Sequence, residues 1–138
     1  MEKNKALPLV SFEQAKKLKE IGFDWKVRCY YDLSFGLFNY EGTPNHNFNN
    51  GAETISAPTF ALALMRFRVE KGWFGNVDVL ENMDNKIRWF YDIKKVADFV
   101  GTDKNLRSFF YTYKEAETAL LDMLIDMELE KKEASNAT

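Results

Sequence analysis

The chain has one cysteine, one histidine, nearly balanced charge and no long apolar run, and each shortage removes a class of explanation. With Cys29 as the only thiol, no disulfide can form within the chain, which fits a reducing compartment. His46 has no second histidine to join it, and Cys29 sits in a strand pattern, so a zinc site lacks ligands. The longest apolar run, Phe60 to Met65, is far short of the roughly 20 residues a membrane span needs. The opening MEKNKALPLV lacks the apolar core of a secretory signal. These features predict a cytoplasmic protein with no membrane association.

A formal net charge of -2 argues against nucleic acid as a partner, because such binding needs a basic surplus to release counterions. The charge is unevenly spread. Residues 1–28 carry seven Lys/Arg against four Asp/Glu, and residues 113–138 carry three against seven. Two solvated surfaces account for this.

Catalytic signatures are missing as well. Gly72 and Gly75 in KGWFGN are too few and wrongly spaced for a dinucleotide or P-loop cradle. Asp78, Glu81 and Asp84 do not follow the EF-hand spacing. Glu115, Glu117, Asp122 and Asp126 on the last helix read as solvated. Cys29, patterned inward with Trp25 and Val27, reads as a small core residue rather than a nucleophile. No catalytic residue, metal site or cofactor is assigned, and nothing in the sequence argues for an enzyme.

What is present is aromatic bulk: 12 Phe, 6 Tyr and 3 Trp in 138 residues, enough apolar payload for a folded domain without a metal or disulfide. A single globular domain over 1–138 is expected, with residues 1–9 and 131–138 frayed and 41–54 a long polar loop. Ser11 and Gln14 form a capping box for a first helix, with Val10 and Ala15 at staple positions and Gly22 as its stop. Alternation then predicts a strand from Trp25, a break near Asp32–Ser34, and a second strand over 35–40. ISAPTFALALMRFRVEKG (55–72) reads as a central helix capped by Ser56, with Pro58 in its first turn and Gly72 at its end. Its apolar residues cover two faces, leaving only Thr59, Arg66 and Glu70 as a polar stripe. Strands follow around Val77–Val79 and Ile87–Ile93, SFFYT adds a short one, and residues 95–107 fit no single pattern. Thr112 and Glu115 open a last helix with Ala116, Ala119, Leu120, Met123, Leu124 and Met127 at helical spacing. The fold class is α+β: one mostly antiparallel sheet of four to five strands packed with about three helices, in the order α-β-β-α-β-β-(β)-α.

The segments SFEQAKKLKEIGFDWKVRCYY, SAPTFALALMRFRVEKG and YTYKEAETALLDML, in this order, resemble a family of small uncharacterised proteins of Bacteroidetes phages and mobile elements. The resemblance spans most of the chain. It departs at Phe67, where the family often has a Trp–Leu pair, and in a longer insert near 95–107. The family has no established activity, so the resemblance implies a shared origin and fold and transfers no catalytic residue.

Arg66 can pair with Glu70 at i,i+4. Arg68 projects from an apolar side, either meeting an acidic or phosphate partner or laying its stem over the core. Tyr30, Phe38, Tyr40, Phe48, Phe90, Phe109 and Phe110 fall opposite the best core stripes, as a patch for a partner or beneath a helix layer. Candidate binding residues are therefore Arg68, Tyr40, His46, Phe48 and Phe90. The function expected is that of a phage-type accessory protein acting by protein binding or self-association, without catalysis. The alternative is a small-ligand or nucleotide-binding protein with a pocket between sheet and helix.

Overall fold

Ser11 begins the first helix as its sequence dictates. In the computed structural model, which describes residues 8–39, 46–81, 86–95 and 109–136, α1 spans Phe12–Glu20. The Ser11 hydroxyl accepts the Gln14 N–H at 3.1 Å while the Gln14 carboxamide accepts the Ser11 N–H at 3.0 Å, so two orphan donors are satisfied reciprocally. Val10, Ala15 and Leu18 are buried. Gly22, at φ 92, takes the left-handed stop and lets the Phe23 N–H reach back to the Leu18 carbonyl at 2.9 Å.

The α+β class holds and the order of elements matches roughly, but a third strand, over Thr54–Ser56, precedes the central helix where a loop and the helix start were expected, and the five strands of the described residues divide into two antiparallel sheets instead of one. The first contains β1 (Cys29–Asp32), β2 (Gly36–Asn39) and β3 (Thr54–Ser56), in the order β2-β1-β3. β1 starts four residues later than alternation suggested, because Val27 spends its amide and carbonyl on an isolated bridge to His46. The second contains β4 (Trp73–Glu81) and β5 (Ile87–Lys95), paired over nine residues each. SFFYT contributes a single bridge, Phe110 to Trp89, and residues 96–108 lie outside the described part.

Contacts within the chain divide it into two units, residues 1–63 and 64–138, with the boundary inside the central helix. That helix departs from its sequence reading in three ways. Ser56 is not its cap: it lies buried in β3, where its hydroxyl accepts the Phe48 N–H. The cap is Thr59, whose hydroxyl accepts the Leu62 N–H at 3.1 Å, so Pro58 precedes the helix. The α-helical part, α2, is Phe60–Arg66, and Phe67–Lys71 continues as a π-helix whose end at Gly72 (φ 69) donates to the carbonyls of Arg68 and Phe67. Finally, the buried face holds Phe60, Ala63, Arg66 and Phe67, whereas Met65 and Val69 are exposed. The helix is one-sided, and Arg66, one of the three residues predicted for its polar stripe, is in the core.

Each unit has its own interior. In the first, α1 packs on β3, and the segment read as a polar loop is partly a clamp. The Asn49 amide donates to the Phe23 carbonyl and accepts the Ser56 N–H, while the Lys19 ammonium donates to the carbonyls of Gly51 and Thr54. In the second, α3 (Tyr113–Asn136) lies on β4 and β5. Thr112 caps it by accepting the Glu115 N–H, and Ala116, Leu120, Leu121, Leu124 and Ile125 are fully buried. Gly75 fits beneath Leu120, since a Cβ there would stand 2.7 Å from a Leu120 methyl. The helix continues through Asn136, into the segment expected to fray.

Candidate functional site

The five sequence-derived candidates are not gathered into one site. His46 and Phe48 belong to the first unit, Arg68 and Phe90 to the second, and Tyr40 lies outside the described residues. His46 and Phe48 meet edge to face at 5.9 Å, and Phe48 stacks on Tyr30 at 4.3 Å. Tyr30 stacks in turn on Phe38, its cross-strand partner, at 5.7 Å. Tyr30, in the middle of the row, has both ring faces engaged. This row consolidates one face of the first sheet. The His46 backbone serves the same end, exchanging two hydrogen bonds with Val27. Phe90 packs edge to face on Phe109 at 6.3 Å. The Arg68 guanidinium lies over the Phe74 ring at 5.3 Å, on an exposed part of the second unit. Arg68 lines neither of the two cavities described below.

The buried charge of the second unit is structural. Arg66 is 2% exposed and forms a two-point pair with the Glu128 carboxylate at 2.5 and 3.3 Å, with Glu70 at 3.2 Å from its Nε and Lys71 beside Glu128 at 3.7 Å. The predicted Arg66–Glu70 pair is present, but it is one side of a buried network anchored on α3. Glu117 is likewise buried, not solvated, and accepts the Tyr113 hydroxyl at 2.8 Å. Burial, with that bond and the nearby carboxylate charge, raises the Tyr113 pKa above its ordinary value. Cys29 is half-buried and in no disulfide. Among the described residues, no group of three or more His, Cys, Asp or Glu could hold a metal, and no helix is long and apolar enough to cross a membrane.

The exposed apolar residues with the firmest support were not among the candidates. Between β1 and β2, one Asp32 carboxylate oxygen accepts the N–H groups of Ser34 and Phe35, at 2.8 and 3.2 Å, and Gly36 at φ 96 completes the reversal. Leu33 is fixed from the other side, its N–H donating to the Glu53 carbonyl at 3.0 Å. The turn thus fastened presents Leu33, 54% exposed, and Phe35, 79% exposed, with Leu37 and Phe38 exposed on the strand behind. The sequence signal is two large apolar residues interleaved with the turn formers Asp32, Ser34 and Gly36.

The edge of this sheet is open. The Leu33 N–H and the Cys29 carbonyl serve the β3 side, so Tyr31 between them also faces β3. Leu37, opposite Tyr31, then turns its own N–H and C=O outward from β2. Among the described residues no strand covers them.

Among the described residues, two cavities lie along α3. The larger, about 560 Å³, is lined by Phe110, Lys114, Thr118 and Asp122 among others, and the smaller, about 240 Å³, lies between Trp73 and the later turns of the helix. Both are open to solvent. Comparison with protein-family models, with curated proteins and with solved structures finds no match to this chain.

Proposed function

We propose that the protein is a phage-type accessory protein of the bacterial cytoplasm that acts by binding protein, with a second copy of itself as the first partner to test. The single observation that carries this reading is the β1–β2 turn, where Asp32 fastens a backbone that displays Leu33 and Phe35 to solvent. A turn tip is ordinarily polar, and a rigid apolar one loses little conformational freedom on docking. The uncovered β2 edge behind it offers main-chain pairing to another β2, and Gly36–Asn39 holds no charge or proline to oppose it. The origin named here rests on the sequence resemblance alone.

A stable protein interface removes about 800 Å² from each partner, more than one tip and a four-residue strand can supply. Association is therefore expected to be weak, with a dissociation constant on the order of 10–100 μM. Sedimentation velocity over a concentration series tests it. The wild-type chain should shift toward dimer as concentration rises, and the L33S/F35S double variant should stay monomeric. A variant that associates as the wild type does, or a wild-type monomer throughout, overturns self-association through this hairpin.

A further inference from the structure

The smaller cavity gathers two cations on one indole. Trp73 begins β4 and Lys95, its cross-strand partner, ends β5. The other lining residues, Met127, Glu130, Lys131 and Ala134, stand at i, i+3, i+4 and i+7 on α3 and so form one stripe. Trp73 itself is only 5% exposed and lies parallel to Phe67, with ring centroids 6.2 Å apart and planes 9° from coplanar. The ammonium groups of Lys95 and Lys131 lie 5.6 and 5.7 Å from the indole centroid.

Each ammonium group is attracted to the ring, and two drawn to the same ring repel each other. Among the described residues neither is in an ion pair: the carboxylates that are paired there, Glu13, Glu70 and Glu128, take other partners. Glu130 is on the rim but beyond ion-pair distance of both. Among the described residues, the positive charge of the groove is thus concentrated at its sheet end with no carboxylate in ion-pair range there. Along the helix, Met127 and Ala134 make the adjoining wall apolar.

We infer that this groove binds a small organic phosphate, its oxyanion between the ammonium groups of Lys95 and Lys131 and its apolar part along Met127 and Ala134. The volume of about 240 Å³ falls just below the usual range for small-molecule sites and suits a compact monoester, not a dinucleotide. An oxyanion between the ammonium groups removes their mutual repulsion and gains two charge-assisted hydrogen bonds. The site is independent of the β1–β2 hairpin, so either proposal can fail without the other.

The competing reading is that both lysines merely lay their stems on Trp73 and keep their heads in water. Two-dimensional ¹H–¹⁵N NMR on the full chain separates the two, with the Trp73 indole N–H as reporter, assigned by W73F. Phenyl phosphate and inorganic phosphate are titrated separately, against sodium chloride at matched ionic strength. Phenyl phosphate should move the reporter and saturate with a dissociation constant of roughly 1 mM. Inorganic phosphate should move the same resonance but saturate later. K95Q and K131Q should each weaken phenyl phosphate about tenfold, as loss of a charged contact implies, while K114Q in the larger cavity leaves it unchanged. Equal shifts from sodium chloride, or K95Q and K131Q chains that titrate like the wild type, overturn the proposal. So does a response to phenyl phosphate with none to inorganic phosphate, because the ring alone would then be what binds.

Discussion

The β1–β2 hairpin of the first unit is short, ends in exposed Leu33 and Phe35, and leaves the outward N–H and C=O of Leu37 uncovered by any strand among the described residues, whereas the β4–β5 hairpin of the second runs for nine paired residues and its edge is blunted. The blunting can be traced to one side chain. Trp89 gives its N–H and C=O to Phe110, so its partner Val79 must point its own N–H away from β5, to the open edge. There the Asp78 carboxylate accepts it at 2.8 Å. A long edge carrying exposed Phe74, Val79 and Leu80 would otherwise be a template for another strand, and a carboxylate in place of an incoming carbonyl opposes that pairing. The edge with more to lose is the one that is guarded, and the unguarded one is the better candidate for contact.

The two interiors differ in a similar way. The first unit is tied by polar side chains reaching backbone, and the second by apolar burial around one embedded ion pair. The sharpest way to break that contrast is Glu128→Ala. It strands Arg66 in the core without its two-point carboxylate partner, and a loss of about 3–5 kcal/mol is expected in urea unfolding. The double variant R66M/E128L should recover most of it, since apolar residues of similar volume replace a buried pair at little or no cost. If the double variant is as unstable as the single one, the pair is not what holds that core.

A smaller effect probes the first unit. Asn49→Ala removes the donor to the Phe23 carbonyl and the acceptor of the Ser56 N–H, for a loss of about 1–3 kcal/mol. Hydrogen exchange should show it as lost protection in β3, while α3 exchanges as before. Equal loss in both would mean that the two units unfold as one.

The smallest effect lies at alkaline pH. Burial raises the pKa of Tyr31, with the charge of Cys29 adding to it, and burial then the Asp122 charge raises that of Tyr91. Both groups are favoured neutral in the fold, so their contribution is complete below the ordinary value of 10.0 and is lost as pH rises through the raised one. Tyr31 also donates its hydroxyl to the Val10 carbonyl at 2.9 Å, a bond the phenolate cannot make. Denaturant midpoints should be flat to about pH 10 and fall above it, less steeply in Tyr31→Phe. A midpoint that rises above pH 10 would reverse the assigned sign.

Local chemistry was readable and distant chemistry was not. The Ser11–Gln14 capping box and the Gly22 stop need only neighbours, and they stand as the sequence implies. SAPT offers two hydroxyls for one cap, and the choice of Thr59 follows from Ser56 being claimed by Phe48 and Asn49 across the fold. Periodicity places Arg66 on a polar stripe, but Glu128, 62 residues later, takes it inside. The candidate site was legible in fragments. His46 and Phe48 do meet, yet Tyr30 and Phe38, which decide what their cluster can do, come from two strands. The break near Asp32–Ser34 is visible in the sequence, but the exposure of Leu33 and Phe35 depends on what fails to cover them. Lys95 and Lys131 share an indole only because β5 and α3 end beside each other.

The π-helix at Phe67–Lys71 has a consequence for how this chain can vary in length. A π turn houses one residue more than the α turn it replaces. Losing one position there would restore ordinary α-helix while leaving Arg66 at its start and the Gly72 reversal at its finish. Elsewhere in the helix a deletion would rotate every later side chain by about 100°, carrying buried faces to the surface. The segment is thus the place in the helix where descendants of this sequence can gain or shed a residue with the rest of the design intact.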